Sequence, residues 1–347
     1  MKKLFLLLMS SWLVAAVACS TNDDGVDPEN PEDPEVGDTT TTGPEPEAVE
    51  LSALSVNGNQ LVNEAGEPVV LHGVSFGWHN WWGQFWDSRT VKTLAQDWDA
   101  EIVRAAMGVE ADGGYLDDAA TALTKVNTVV EAAVANDIYV IIDWHCHGIQ
   151  LEAAKEFFGD MATKYKGVKN VIYEIWNEPH SDDSEYTWAE IKAYSEEVIG
   201  VIRAIEPDAL ILVGTPKWST LGDDVIADPL VGYENIMYVF HFYAASHTQD
   251  RRDSAQESVD AGLPIFVSEC GSMYSSGDGD INETEWNAWV EWMDERSISW
   301  VAWSISAKDE TCSMITTDGN YYGSWTDDMI KPWGKMVKDF LNAKAGN

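Results

Sequence analysis

Two glutamates stand where apolar runs of this chain stop. Val171-Ile-Tyr-Glu-Ile-Trp176 is followed by Asn177-Glu178-Pro179, and Pro264-Ile-Phe-Val-Ser268 is followed by Glu269. A carboxylate buried without partners is costly, so a glutamate after a strand of buried type is either held by dedicated partners or placed at a cleft mouth. Two such groups facing each other meet the requirement for cleaving a glycosidic bond. One donates a proton to the leaving oxygen while the other attacks the anomeric carbon or activates water. The roles demand different surroundings: a neighbouring Arg and a Tyr hydroxyl keep a carboxylate charged, whereas apolar packing and a nearby negative charge raise its pKa. The residues alone leave open which glutamate has which neighbours.

The elements that must carry these groups alternate regularly from residue 51 onward. Strand-type runs fall at Val69 to Val74, Ile102 to Met107, Tyr139 to Trp144, Val171 to Trp176, Ala209 to Val213, Met237 to Phe242, Ile265 to Ser268 and Ser299 to Ile305. Between them lie helix-type stretches such as Asp117 to Asn136 and Tyr186 to Ile205, the latter with Ile191, Tyr194, Val198 and Ile202 on one face. Apolar strands joined by helical crossovers imply a parallel sheet covered on both sides, and eight such units predict a closed (β/α)8 barrel in one α/β domain over 51–347. An open doubly wound sheet is the alternative. Leu54 to Val70, with turn signals at Asn57-Gly58 and Ala65-Gly66, predicts an N-terminal β-hairpin able to plug the barrel bottom.

On a barrel the strand ends share one face, so their polar residues belong together. They are Arg104 on the second strand, His145 on the third, Asn177 and Glu178 on the fourth, His241 and Tyr243 on the sixth, Glu269 on the seventh and Trp303 on the eighth. In order and strand by strand this set resembles glycoside hydrolase family five, the clan A barrel enzymes. The runs Leu71-His-Gly-Val-Ser75, Arg104-Ala-Ala-Met107 and Trp303-Ser-Ile-Ser-Ala-Lys308-Asp-Glu310 are most similar to its bacterial endo-β-1,4-glucanases. The resemblance implies a retaining cellulase with Glu178 as acid/base and Glu269 as nucleophile. It makes Arg104 and Tyr243 the groups that orient Glu269, gives Asn177 the sugar 2-hydroxyl, and leaves His145 and His241 to complete the hydrogen-bond network. It also implies that Trp81, Trp218 and Trp303 contact sugar and that Lys308 and Glu310 bind hydroxyls at the non-reducing side. No cofactor and no metal enter that chemistry.

Seventeen Trp suit a cleft for a polymer whose sugar rings have apolar faces. Trp144 and Trp176 are expected to point away from the cleft, and Trp82, Trp86 and Trp98 to lie in the core. The first loop, Gly77-Trp78-His79-Asn80-Trp81-Trp82, departs from the family pattern. It lacks the His that relatives place at Gly77, and Gly108 replaces a Tyr, which leaves Trp78 or His79 to fill the glycone side. Mixed-linkage glucan, xyloglucan and mannan therefore stay open beside cellulose as substrates.

The N-terminus reads differently from the rest. Met1-Lys2-Lys3, an apolar stretch and the exit Ala16-Val17-Ala18-Cys19 form a secretory signal over 1–18 that resembles a bacterial lipobox, with Cys19 as the lipid-modified residue. Residues 19–50 hold eleven Asp and Glu, no Lys or Arg and repeated Pro and Thr, the composition of a disordered tether. An exported protein at a bacterial surface or outer membrane, or one secreted outright, is expected. The formal net charge of −38 argues against nucleic acid as a partner, and a monomer is expected to act on its β-1,4-glucan. Among the four cysteines, Cys270 and Cys312 follow neighbouring strands and form the expected disulfide, with Cys146 a buried thiol. Two rivals remain: a metal hydrolase suggested by His145-Cys146-His147 and His180, and a non-catalytic glycan-binding lipoprotein. Asp278-Gly-Asp280 could hold calcium but reads equally as a solvated turn.

Overall fold

In the computed structural model, which describes residues 51–180, 186–317 and 322–346, ten strands follow one another. The signal-type segment 1–18, Cys19 and the acidic stretch 19–50 lie outside the described residues. Strands β1 (Ser55–Asn57) and β2 (Gln60–Val62) form an antiparallel hairpin, turned by Gly58 at φ 64°. The remaining eight are β3 (His72–Phe76), β4 (Ile102–Gly108), β5 (Tyr139–His145), β6 (Val171–Glu174), β7 (Leu210–Val213), β8 (Ile236–Tyr243), β9 (Ile265–Gly271) and β10 (Trp300–Ile305). They pair in parallel in sequence order, and β10 closes on β3 to complete the expected barrel.

Helices cover the outside because their apolar stripes match the outward residues of the strands. Helix Ala119–Ala135 buries Val126, Val129 and Val130 and starts where the Asp118 carboxylate accepts from the Thr121 N–H. Helix Trp188–Ile205 opens with a reciprocal Thr187 and Glu190 capping box and buries Ile191, Tyr194, Val198 and Ile202. Trp144 packs there against Phe157 and Phe158, and Trp176 against Tyr186 and Tyr194, so both point away from the cleft. Trp86 and Trp98 are buried in the core, and Trp82 packs partly buried against it.

The barrel interior changes character along its axis. Its lower part is an apolar cluster of Leu71, Ile102, Ile141, Ile172, Leu212, Val239, Phe266 and Val301, closed below by Leu54 and Leu61 from the hairpin segment. Two residues further along five strands the inward side chain becomes polar: Arg104 after Ile102, Asp143 after Ile141, Glu174 after Ile172, His241 after Val239, and Ser268 after Phe266.

Three expectations need correction. Val69 belongs with the hairpin, since its N–H donates to the Leu61 carbonyl at 2.9 Å, and β3 begins only at His72. Strand β6 ends at Glu174, so Asn177 and Glu178 stand on the turn beyond it, where their N–H groups donate to the carbonyls of Trp144 and Cys146. Cys270 and Cys312 form no disulfide; both are free and buried, as is Cys146. Strand alternation turns Cys270 away from Glu269, and its thiol donates to the Val301 carbonyl at 3.4 Å. The Cys312 thiol instead lies 3.2 Å from Glu310 Oε1, in the loop after β10. Cys270 lies on β9 and Cys312 on the loop beyond β10, and their side chains face different surroundings.

Candidate active site

Arg104 organises the upper barrel. Its Nε and Nη2 donate to the two Glu174 oxygens at 2.8 and 2.9 Å, Nη1 donates to Glu269 Oε2 at 3.0 Å, and Nη2 also reaches Asn177 Oδ1 at 2.6 Å. Asp143 Oδ2 lies 2.9 Å from the same Nη2 and 2.6 Å from His145 Nδ1. Burial works against the charged guanidinium, but the surrounding carboxylates outweigh it, and Arg104 is charged at any working pH. Asp143 is pushed up to about 7, by burial first and against the pull of Arg104. His145 is pushed down to about 3 by burial and by the same cation, so it is neutral.

The two glutamates face each other above this layer, with an oxygen of each and a ring nitrogen of His241 all within 4.8 Å of one another. Glu269 accepts from Arg104 on one oxygen and from the Tyr243 hydroxyl, at 2.7 Å, on the other. Glu178 meets imidazoles on both: His241 Nδ1 at 2.9 Å from Oε1 and His147 Nε2 at 3.4 Å from Oε2. Burial raises the Glu178 carboxyl, yet hydrogen bonds from His147 and His241 outweigh it and hold the group below its ordinary value. His147 is raised by its hydrogen bond to Glu178. His241 is lowered by burial but ends raised through the same carboxylate. Its Nε2 meets Ser268 Oγ at 3.0 Å, and that hydroxyl in turn donates to Glu174. The Asn177 Nδ2 is buried and meets no acceptor among the described residues.

Aromatic rings flank the carboxylates. Trp303 stacks on His145 at 5.2 Å, and Trp81 is 54% exposed on the β3 side. Across the cleft Trp218, 43% exposed, stacks on His180 at 3.6 Å. Trp218 sits in a left-handed turn with Lys217 and Ser219, strained backbone secured by the Ser219 hydroxyl, which donates to the Asn177 carbonyl at 2.7 Å. Together with Glu178, His147, His241 and Tyr243 this side lines a cleft of about 720 Å³. Lys308 and Glu310 pair at 2.5 Å on the loop after β10. His79 turns into the core against Trp86, while Trp78 lies against Gly108 and Trp82 against Gly77.

The structure thus brings together Arg104, His145, Asn177, Glu178, His241, Tyr243 and Glu269. It adds Asp143, Glu174, Ser268 and His147, which the sequence reading did not single out for this role. The residues behind the metal alternative diverge: Cys146 donates to Gly148, His145 pairs with Asp143, His147 with Glu178, and His180 lies on Trp218. Asp278 is exposed and accepts from the Thr311 N–H and hydroxyl, which ties its loop to the one after β10.

The profile of cellulase, glycosyl hydrolase family 5, matches residues 62–309. The chain belongs to that family. Endoglucanase Z of Dickeya dadantii is 42% identical over 307 residues, covering 86% of this chain and 68% of the relative. Endoglucanase A of Evansella cellulosilytica is 40% identical over 289 residues, covering 81% of this chain and 58% of the relative. Among solved family 5 structures, the catalytic domain of a Thermobifida fusca endoglucanase superposes with TM-score 0.78 at 34% identity, covering 84% of this chain and 97% of that one; a variant of it is described in complex with cellotetraose. A structure from Cytophaga hutchinsonii gives TM-score 0.82 at 43% identity, covering 85% of this chain and 95% of that one.

Proposed function

We propose that this family 5 protein is a retaining endo-β-1,4-glucanase. The observation that carries the reading is the unequal support of two carboxylates whose oxygens lie within 4.8 Å of each other. Retaining enzymes hold their carboxyl groups about 5 to 5.5 Å apart, whereas inverting ones leave about 6.5 to 9.5 Å for a water. Glu269, fixed by a permanent cation and a phenol, attacks the anomeric carbon as the leaving oxygen takes a proton from Glu178. A water then gives its proton to Glu178 and attacks the same carbon, releasing Glu269. The imidazoles beside it, His241 at 2.9 Å and His147 at 3.4 Å, are the groups placed to pass Glu178 its proton. Asn177 Nδ2 serves the sugar hydroxyl next to the reacting carbon. Trp81, Trp218 and Trp303 carry sugar faces, and Lys308 and Glu310 bind hydroxyls. The endoglucanase names of the relatives and the cellotetraose-bound neighbour support the substrate.

The test is hydrolysis of carboxymethylcellulose, lichenan, xyloglucan and mannan, with the anomer of the first product followed by NMR. Cleavage of cellulose or lichenan with retention supports the reading; binding without cleavage overturns it. Cys19 is proposed as a lipid anchor that leaves a monomeric enzyme facing the medium or the periplasm, on the strength of the lipobox-like exit and the acidic stretch after it. Labelled palmitate should enter the wild type and not Cys19→Ser; equal labelling of both, or none, contradicts the anchor.

A further inference from the structure

Trp81 stands over half exposed beside the cleft, yet it is not a lone ring. Trp78 stacks on it with centroids 4.6 Å apart and planes 15° from parallel. Trp78 in turn meets His145 in an edge contact at 4.6 Å, and His145 is fixed by Asp143 and stacked on Trp303. Four rings therefore run in contact from solvent to the Arg104 layer. The Trp78 backbone is also held, because its carbonyl accepts the N–H groups of Trp81 and Trp82 that begin the next turn. Space for its indole exists because residue 108 lacks a side chain: a Cβ there would lie 2.9 Å from Trp78 Cε3 and 2.4 Å from Asn80 Oδ1.

We infer that Trp78 is a positioning residue which, in the space left open at Gly108, holds Trp81 as a fixed platform for a glucan sugar ring. An exposed side chain must give up rotamer freedom when a ligand settles on it, and a ring already stacked has given most of it up. Trp78 acts through Trp81: one of its faces is covered by Trp81, and its remaining ring contacts are His145 at 4.6 Å and, more distantly, His147 at 6.2 Å. This inference rests on the endoglucanase reading.

The test is a double-mutant cycle read as cellotetraose affinity by calorimetry in the Glu269→Gln protein, where binding is not followed by cleavage. Trp81→Ala should weaken binding about tenfold, the scale of one well-placed aromatic contact. Trp78→Ala should lose nearly as much, and the two together no more than Trp81→Ala alone, because a platform already removed needs no support. Trp78→Phe, which keeps a stacking ring and the fold, should retain most of the affinity. Unchanged affinity in Trp78→Ala, or losses that simply add, would overturn the inference while leaving the enzyme reading intact. A Glu269→Gln protein that binds no cellotetraose would overturn both.

Discussion

The two walls of the cleft hold similar carboxylates by opposite means. On the β9 wall, Glu269 takes one donor on each oxygen, from a guanidinium that carries its charge at any working pH and from a phenol whose pKa burial and Glu269 itself drive well above 10. On the wall beyond β6, Glu178 faces two imidazoles, the side chain that titrates nearest neutrality. A nucleophile must offer a lone pair in every turnover, so permanent donors suit it. An acid that becomes a base must load and unload a proton, so exchangeable partners suit it. In the proposed assignment the two roles follow from whether the neighbours titrate, rather than from burial alone. Beneath the two carboxylates one Arg104 faces Asp143, Glu174 and Glu269, and burial raises both Asp143 and Glu174 against its pull.

Removing the carboxylates tests the contrast most severely. Glu269→Gln should cut kcat by about 10⁴ or more on any substrate, since no leaving group replaces a missing nucleophile. Glu178→Gln should cost about 10² to 10⁴ in kcat/KM on cellulose but little on dinitrophenyl cellobioside, whose leaving group needs no acid. Equal losses on both substrates would place the proton elsewhere. Arg104→Met leaves three buried acids without their cation and should destabilise the fold by about 3–5 kcal/mol, measured by chemical denaturation. Tyr243→Phe removes one hydrogen bond to a carboxylate, and about a tenfold to hundredfold fall in kcat with KM nearly constant is expected.

The smallest effect sharpens the other wall. His147→Gln removes a partner that holds Glu178 below its ordinary 4.5 and is itself held above 6.5. The lowered Glu178 adds stability above pH 4.5, lost as pH falls through its folded pKa; the raised His147 adds stability below pH 6.5, lost as pH rises through its own. The gap in melting temperature between wild type and variant should therefore be widest between these values and narrow on both sides. His147 is 39% exposed, so the gap will be a few degrees at most. A gap that widens steadily toward alkaline pH would contradict the pairing.

Much of this site was legible because the groups at strand ends share one face of a barrel, which made Arg104, His145, Glu178, His241, Tyr243 and Glu269 a set before any coordinates. Asp143 lies inside its strand, between Ile142 and Trp144, and Glu174 ends its own, between Tyr173 and Ile175; a charge within so apolar a run was itself the signal. Two-residue alternation from Ile141 and Ile172 would have turned both inward beside Arg104. His147 carried only the spacing from His145 that suggests a metal, and its reach to Glu178 depends on the turn after β5. The misplaced disulfide has a related origin: strand order gives neighbourhood, whereas bridging also needs side-chain direction.

In the proposed mechanism Glu269 forms the glycosyl bond while Glu178 handles the proton. The direct measurement is mass-spectrometric peptide mapping after inactivation with a 2-deoxy-2-fluoro cellobioside carrying a dinitrophenyl leaving group, which forms the intermediate quickly and releases it slowly. A single sugar adduct on the peptide that contains Glu269 is the predicted result. An adduct on Glu178, or turnover with inverted product and no adduct, would contradict the account.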